Sequence, residues 1–347
     1  MKKNHDALKK RKILHKKQAA VARRKKRILR KIEKWNALHR LIPGEIRLNS
    51  PEYFRLEDDV HDQMAIFLGR LRKAFVSSNN VCVDFKNLKK VVAGGMLLFF
   101  SEIHRLKNLF PRVSVRCFPP KDSAVVQVFR HLRVFELFGY KCKVIPTRAD
   151  VVSWRYATSE NIDGSAVGGV LSAYESLEGE KSRLLYRGAT EAMYNAVGHA
   201  YIADREDGLP APEKKSWWIF CKEDESNAVV AVCDLGIGIP RSLPKLYPDE
   251  IVRELLAKIS RGRIPADSAM IEAAMQLSRT RTGVGSRGKG LQDTKAIVDA
   301  VPGGKLYVFS NKGMLLYQNG KYIRKDYRKS IKGTVVVWVI PIKGVEK

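Results

Sequence analysis

An uncharged apolar run, Ala228-Val-Val-Ala-Val-Cys233, ends on the carboxylate of Asp234 and passes straight into Leu-Gly236-Ile-Gly238-Ile-Pro240. Such a run reads as a buried strand. The Gly-x-Gly that follows places a sharp turn at its end, where a flat ligand can come close to the backbone. Asp234 is there a candidate acceptor for an exocyclic amine such as adenine N6. An Asp-x-Gly turn is also ordinary at a strand end, so the reading depends on what else the chain supplies.

Two further stretches supply it. In Glu191-Ala-Met-Tyr-Asn195-Ala-Val-Gly-His199-Ala-Tyr201 the polar residues recur every four positions, one above another on a helix face. A carboxylate at Glu191 suits proton acceptance from a water or hydroxyl. The amide oxygen of Asn195 suits a magnesium ion that also touches substrate phosphates. Farther on, Gly283, Gly285, Gly288 and Gly290 precede the helical pattern that starts at Leu291, with Arg287 and Lys289 between them. Glycine-rich backbone running into a helix N-terminus favours anions. The spacing fits neither a Rossmann fingerprint nor a P-loop.

In this order the three stretches resemble the N, G1 and G2 boxes of the GHKL ATP-binding domain (gyrase, heat-shock chaperone, histidine kinase, MutL). Gly333-Thr334 before Val335-Val-Val-Trp-Val-Ile340 resembles that family's last glycine-threonine motif. The N box is most similar to that of the anti-sigma-factor serine kinases. The resemblance implies ATP and Mg2+ as cofactors, Glu191 as catalytic base and Asn195 as the magnesium ligand. It also implies Asp234, Gly236 and Gly238 around adenine, Arg287, Gly288, Lys289, Gly290 and Leu291 at the phosphates, and Thr334 beside the base. Residues 241–282 would be the lid, with helices near Asp249–Ile259 and Ala266–Leu277, and Arg279 and Arg281 at the phosphate edge.

The expected fold class is α/β (α+β): a Bergerat-type sandwich with a mixed sheet over 151–347, a smaller domain over 51–150 and a basic helical or disordered tail over 1–50. In the middle segment Val81–Phe85 and Val113–Phe118 read as strands, and 94–109 and 124–138 as helices. Asp84-Phe-Lys-Asn-Leu88, Ala93-Gly94-Gly95 and Phe129-Arg-His-Leu-Arg-Val-Phe-Glu-Leu-Phe138 resemble the STAS domain of anti-sigma-factor antagonists. Antagonists of that family accept phosphate on a serine at the turn where this chain has Ala93-Gly94-Gly95, so a phosphorylation cycle at this turn is not expected. Val151–Ala157 reads as a strand and Gly164–Gly169 as a loop or hinge.

Net charge is +28, and residues 1–40 carry 17 Lys or Arg against Asp6 and Glu33. That tail points to nucleic acid as a partner. The STAS-like segment is a candidate protein-binding surface, and a nucleotide-dependent homodimer fits the family. No run is long enough for a membrane span. Five cysteines without Cys-x-x-Cys spacing (Cys82, Cys117, Cys142, Cys221, Cys233) suggest buried thiols in a cytoplasmic protein. The leading expectation is an ATP-hydrolysing conformational switch. A serine/threonine protein kinase acting on a separate antagonist and a non-hydrolysing ATP sensor are the alternatives.

Overall fold

Glu45–Asn49 (β1) opens the described fold and joins Asn80–Asp84 (β3) and Ser114–Phe118 (β5) in a three-stranded sheet of order β1-β3-β5. The computed structural model describes residue 23 and residues 43–172, 174, 176–211, 214–277 and 293–342. Most of the described residues belong to one compact unit that starts at Ile46. β1 therefore puts regular structure inside the segment expected as a tail, because the basic composition ends before the apolar alternation of Ile46 and Leu48 begins.

Tyr53–Phe54 (β2) pairs with Lys90–Val91 (β4), and Val60–Ser77 (α1) lies between β2 and β3. Ala93–Leu109 (α2) is apolar nearly all round, and a helix of that kind has to be covered on every side. It packs on α1 and β2 and also on the larger sheet introduced below. The run expected as one helix over 124–138 is two, Ser123–His131 (α3) and Val134–Leu137 (α4), separated by the left-handed Arg133 at φ 56°. Asp122 caps α3 by accepting from the Val125 amide at 3.0 Å.

Two more expectations change. Val151–Ala157 is not a single strand: Ala149–Val152 (α5) turns at Trp154, whose ring nitrogen donates to the Asp150 carbonyl, and the strand (β6) is Arg155–Ser159. Gly164–Leu171 (α6) is a helix, not a hinge. Asp163 caps it through the Ala166 amide at 2.9 Å, and its glycines let it lie close to Tyr186.

Gly179–Asn195 (α7) runs into a π-turn over Ala196–Ala200. After it come Trp217–Glu223 (β7), Asn227–Asp234 (β8), Ile239–Leu246 (α8), Asp249–Ser260 (α9), Asp267–Leu277 (α10) and Asp293–Ala300 (α11). Lys305–Ser310 (β9), Gly313–Gln318 (β10), Lys321–Asp326 (β11) and Thr334–Pro341 (β12) complete the chain. The seven-stranded sheet has the order β11-β10-β9-β12-β8-β7-β6, and every neighbouring pair is antiparallel. The expected mixed sheet is thus corrected. The last strand inserts between β8 and β9, so the two strands that run in the same direction never touch.

Both faces of this sheet are buried, and the pleat sorts its side chains. Trp217, Ile219, Val230, Val232, Val336 and Trp338 face a core with α6, α7, α10 and α11. Trp218, Phe220, Ala231, Cys233, Val335 and Val337 share a second core with α1, α2, β3 and β5. Helices α8, α9 and α10 keep a small apolar cluster of their own around Leu243, Leu256 and Ala273. With helices and strands interleaved throughout, the class is α/β. Among the described residues no helix is long and apolar enough to cross a membrane.

Candidate functional site

Asp234 stands at the last position of β8, opposite Thr334 at the first position of β12. Its Oδ1 accepts from the Gly236 amide at 2.9 Å, which closes the turn. The turn leaves no space for a side chain. A Cβ on Gly236 would lie 2.1 Å from the Ala200 carbonyl oxygen, at the end of the π-turn, while the Ile237 amide donates to that same oxygen at 2.8 Å. Gly333, at φ 138°, would place a Cβ 2.5 Å from the Asp234 carbonyl oxygen.

The cavity above this floor measures about 140 Å³, the size that admits a benzene-like ring. Val232 and Val336 join Asp234 and Thr334 at its base. Ala192, Asn195, His199 and Ala200 line one side, and Ile239, Leu243, Leu246, Tyr247 and Ala274 the other. The residues that set its polar floor are mutually hydrogen-bonded. Ser310 Oγ accepts from the Ile239 amide at 2.8 Å and lies 3.0 Å from the Thr334 hydroxyl. Asn311 Nδ2 donates to the Ile237 carbonyl at 2.9 Å. Its Oδ1 accepts from the Gly333 amide at 3.4 Å.

Burial pushes the Asp234 carboxyl up to about 6; the Gly236 amide, Arg205 and Thr334 each pull it back down. It is a carboxylate held in an apolar slot, where hydrogen bonds and the charge of Arg205 offset only part of its desolvation. At the mouth, Asn195 Nδ2 donates to Glu191 Oε1 at 3.2 Å. Burial, and after it the neighbouring Asp293 carboxylate, raise the Glu191 carboxyl, while Asn195 opposes them. Arg187, one turn back on the same stripe, pairs with Asp293 at 2.8 Å. The helical face carrying Glu191 and Asn195 thus meets the first turn of α11.

Of the residues singled out in the sequence, Asn195, Asp234, Gly238 and Thr334 line one cavity, with Gly236 in the turn beneath it and Glu191 hydrogen-bonded to Asn195. Arg279, Arg281, Arg287, Gly288, Lys289, Gly290 and Leu291 lie outside the described residues. Their flanks do not: Ala274 of α10 lines the cavity, and Asp293 stands beside Glu191. Sequence reasoning missed Ser310, Asn311 and Arg205. None of the three sits in one of the motif stretches.

For a magnesium ion the donor set is hard oxygen: the Asn195 amide oxygen, with the Glu191 carboxylate beside it. Among the described residues no group of three or more His, Cys, Asp or Glu could hold a metal ion.

No protein-family model matches the chain, and no curated protein is significantly similar to it.

Proposed function

We propose that this cavity binds ATP and that the protein is an ATP-hydrolysing conformational switch. The observation that carries the proposal is a buried carboxylate, Asp234, on the floor of an apolar slot wide enough for one aromatic ring, with a carboxylate–amide pair at the mouth. A flat base with an exocyclic amine satisfies Asp234 and fills the apolar walls. That the N-box, first glycine-box and glycine-threonine stretches converge on one cavity supports a Bergerat-type domain of the GHKL kind over 151–347. The parallel pair β3–β5 and the helix starting at Ala93 support a STAS-like unit before it.

In this reading Asp234 accepts from the amine of the base, and Thr334 and Gly236 fix the carboxylate's orientation. Asn195 would hold magnesium, which when bound neutralises charge on the phosphates. Glu191, with its raised affinity for protons, takes a proton from the attacking water as the water oxygen bonds to the γ-phosphorus and the bond to the bridging oxygen breaks. The basic segment 1–40 would contact nucleic acid or a nucleoprotein partner.

The test is to follow γ-radiolabelled ATP with the purified protein, with and without RNA, DNA and lysate proteins. Release as free phosphate, stimulated by nucleic acid, is expected. Label transferred to an added protein would replace the switch with a kinase. Tight binding without turnover would leave a sensor, and no binding would end the nucleotide reading.

A further inference from the structure

A buried ion network joins the candidate site to the 46–150 segment, with Arg205 at its centre. Arg205 follows the π-turn whose last carbonyl abuts Gly236, and it is 2% exposed. Its Nε donates to the Lys332 carbonyl at 2.8 Å, directly before Gly333-Thr334. Its Nη2 donates to Glu102 at 2.8 Å and its Nη1 to Asp207 at 2.8 Å. Glu102 sits on α2, wholly buried, and also takes Arg72 of α1 at 2.8 Å. Arg105, one turn along α2, reaches Asp207 at 2.5 Å. Three guanidiniums thus share two carboxylates out of water.

Networks of this kind are poor stabilisers, because desolvation offsets most of the attraction. The geometry this network bears on is that of the cavity floor, through the Lys332 carbonyl directly before Gly333-Thr334. Arg205 grips the segment carrying Thr334 and lies close enough to Asp234 to influence its charge. Burial pushes Glu102 up, but Arg205 and Arg72 together hold it well below the usual carboxylate range, so it stays an anion to anchor them.

We propose that Arg205 is a positioning residue for the nucleotide-binding carboxylate Asp234 and for Thr334, anchored by Glu102, so that the 46–150 unit is a built-in part of the site. The role in binding rests on the nucleotide reading above; the role in setting the environment of Asp234 does not. Among the described residues, those acting on Asp234 electrostatically include Arg205, the Tyr201 hydroxyl and the Cys233 thiol, besides hydrogen bonds from Gly236 and Thr334. Burial keeps Tyr201 and Cys233 neutral at ordinary pH. That leaves Arg205 as the charged partner among them.

The test uses the full chain in three variants, Arg205→Met, Arg205→Lys and Glu102→Gln, with Arg148→Gln at an exposed ion pair as control. The readouts are the carbon-13 carboxyl titration of Asp234 without nucleotide, and the dissociation constant of ATP. Arg205→Met should raise the Asp234 midpoint above its wild-type value, and Arg205→Lys should bring it back toward wild type. Glu102→Gln should weaken ATP about tenfold, within the ordinary range of coupling between linked sites, although Glu102 does not line the cavity. If Arg205→Met does not fold, Glu102→Gln carries the test. An unmoved Asp234 midpoint in folded Arg205→Met, or ATP affinity within about twofold of wild type in folded Glu102→Gln, would overturn the proposal. If wild type binds no ATP, the nucleotide reading fails, and the Asp234 titration alone still decides for or against the positioning role.

Discussion

At Asp234, the proposed binding role and stability pull in opposite directions. A carboxyl pushed from 3.8 up to about 6 by burial keeps, between those values, a proton that the unfolded chain releases. Its contribution to stability therefore falls as pH rises through that window and is lowest above it. Ionised Asp234 is the form that accepts from an amine, so ATP affinity should rise with pH through about 6. Asp234→Asn keeps an oxygen for the Gly236 amide and removes the buried charge. It should melt higher than wild type at pH 7.5, by up to about 3 kcal/mol of stability, and lose ATP binding. Paired calorimetry and titration check this; a lower melting point or retained affinity would remove Asp234 from the proposed role. Glu191 calls for a different variant. Glu191→Gln should leave ATP affinity within about twofold, since the side chain lies at the mouth and not on the floor, yet slow turnover by about 10²–10⁴-fold. Because the Glu191 carboxyl is itself raised by burial and by Asp293, wild-type turnover should fall on acidification earlier than for an ordinary glutamate. Pre-steady-state release of labelled phosphate measures both effects, and undiminished turnover would place the base elsewhere.

At the scale of elements, the start of α2 sets how the molecule is joined. A Cβ on Gly95 would meet the Phe54 carbonyl carbon and oxygen at 2.4 Å, backbone that cannot swing aside. Gly69, in the middle of α1, has nothing within 4 Å. Gly95→Ala should lower the melting temperature, costing about 1–3 kcal/mol by overpacking, whereas Gly69→Ala should raise it by about 0.5–1 kcal/mol through helix propensity. Thermal melts of the two single variants check the pair, and equal shifts would contradict the close approach. Runs buried on both faces, such as Ala228–Cys233 and Val335–Ile340, are legible as strands because apolar content survives without alternation. The helices starting at Asp249 and Asp267 are legible from their periodicity. Gly164–Leu171 looked like a loop because its glycines, needed for close contact with Tyr186, mimic a hinge. β1 was hidden by the basic segment before it. The antiparallel order of the sheet rests on pairings far apart in the chain, which no local pattern encodes. Asn195, Asp234 and Thr334 were legible because each sits in a short motif. Glu102 and Arg205 were not, since a buried ion pair and a surface charge look alike until the fold brings them together.

On the scale of the whole molecule, one apolar core runs across the boundary expected near residue 150. Phe85, Phe99 and Phe129 from the first half belong to the same cluster as Trp218, Phe220, Val335 and Val337 from the second. Above it lies the ion network from Arg72 and Glu102 to Arg205 and Asp207. Separating the halves would expose one face of the seven-stranded sheet and part Glu102 from Arg205, leaving each only the partners in its own half. Neither half therefore has an independent route to unfolding. Residues 46–342 should melt in a single calorimetric transition, with van't Hoff and calorimetric enthalpies in agreement. Saturating ATP should move that whole transition upward, by about 2.7 kcal/mol at a hundredfold excess over the dissociation constant. The amides of β3 and β5, remote from the cavity, should gain exchange protection together with those of β8 and β12. Two resolved transitions, or protection confined to the larger sheet, would mean that the first half is an appended module and that α2 couples nothing to the site.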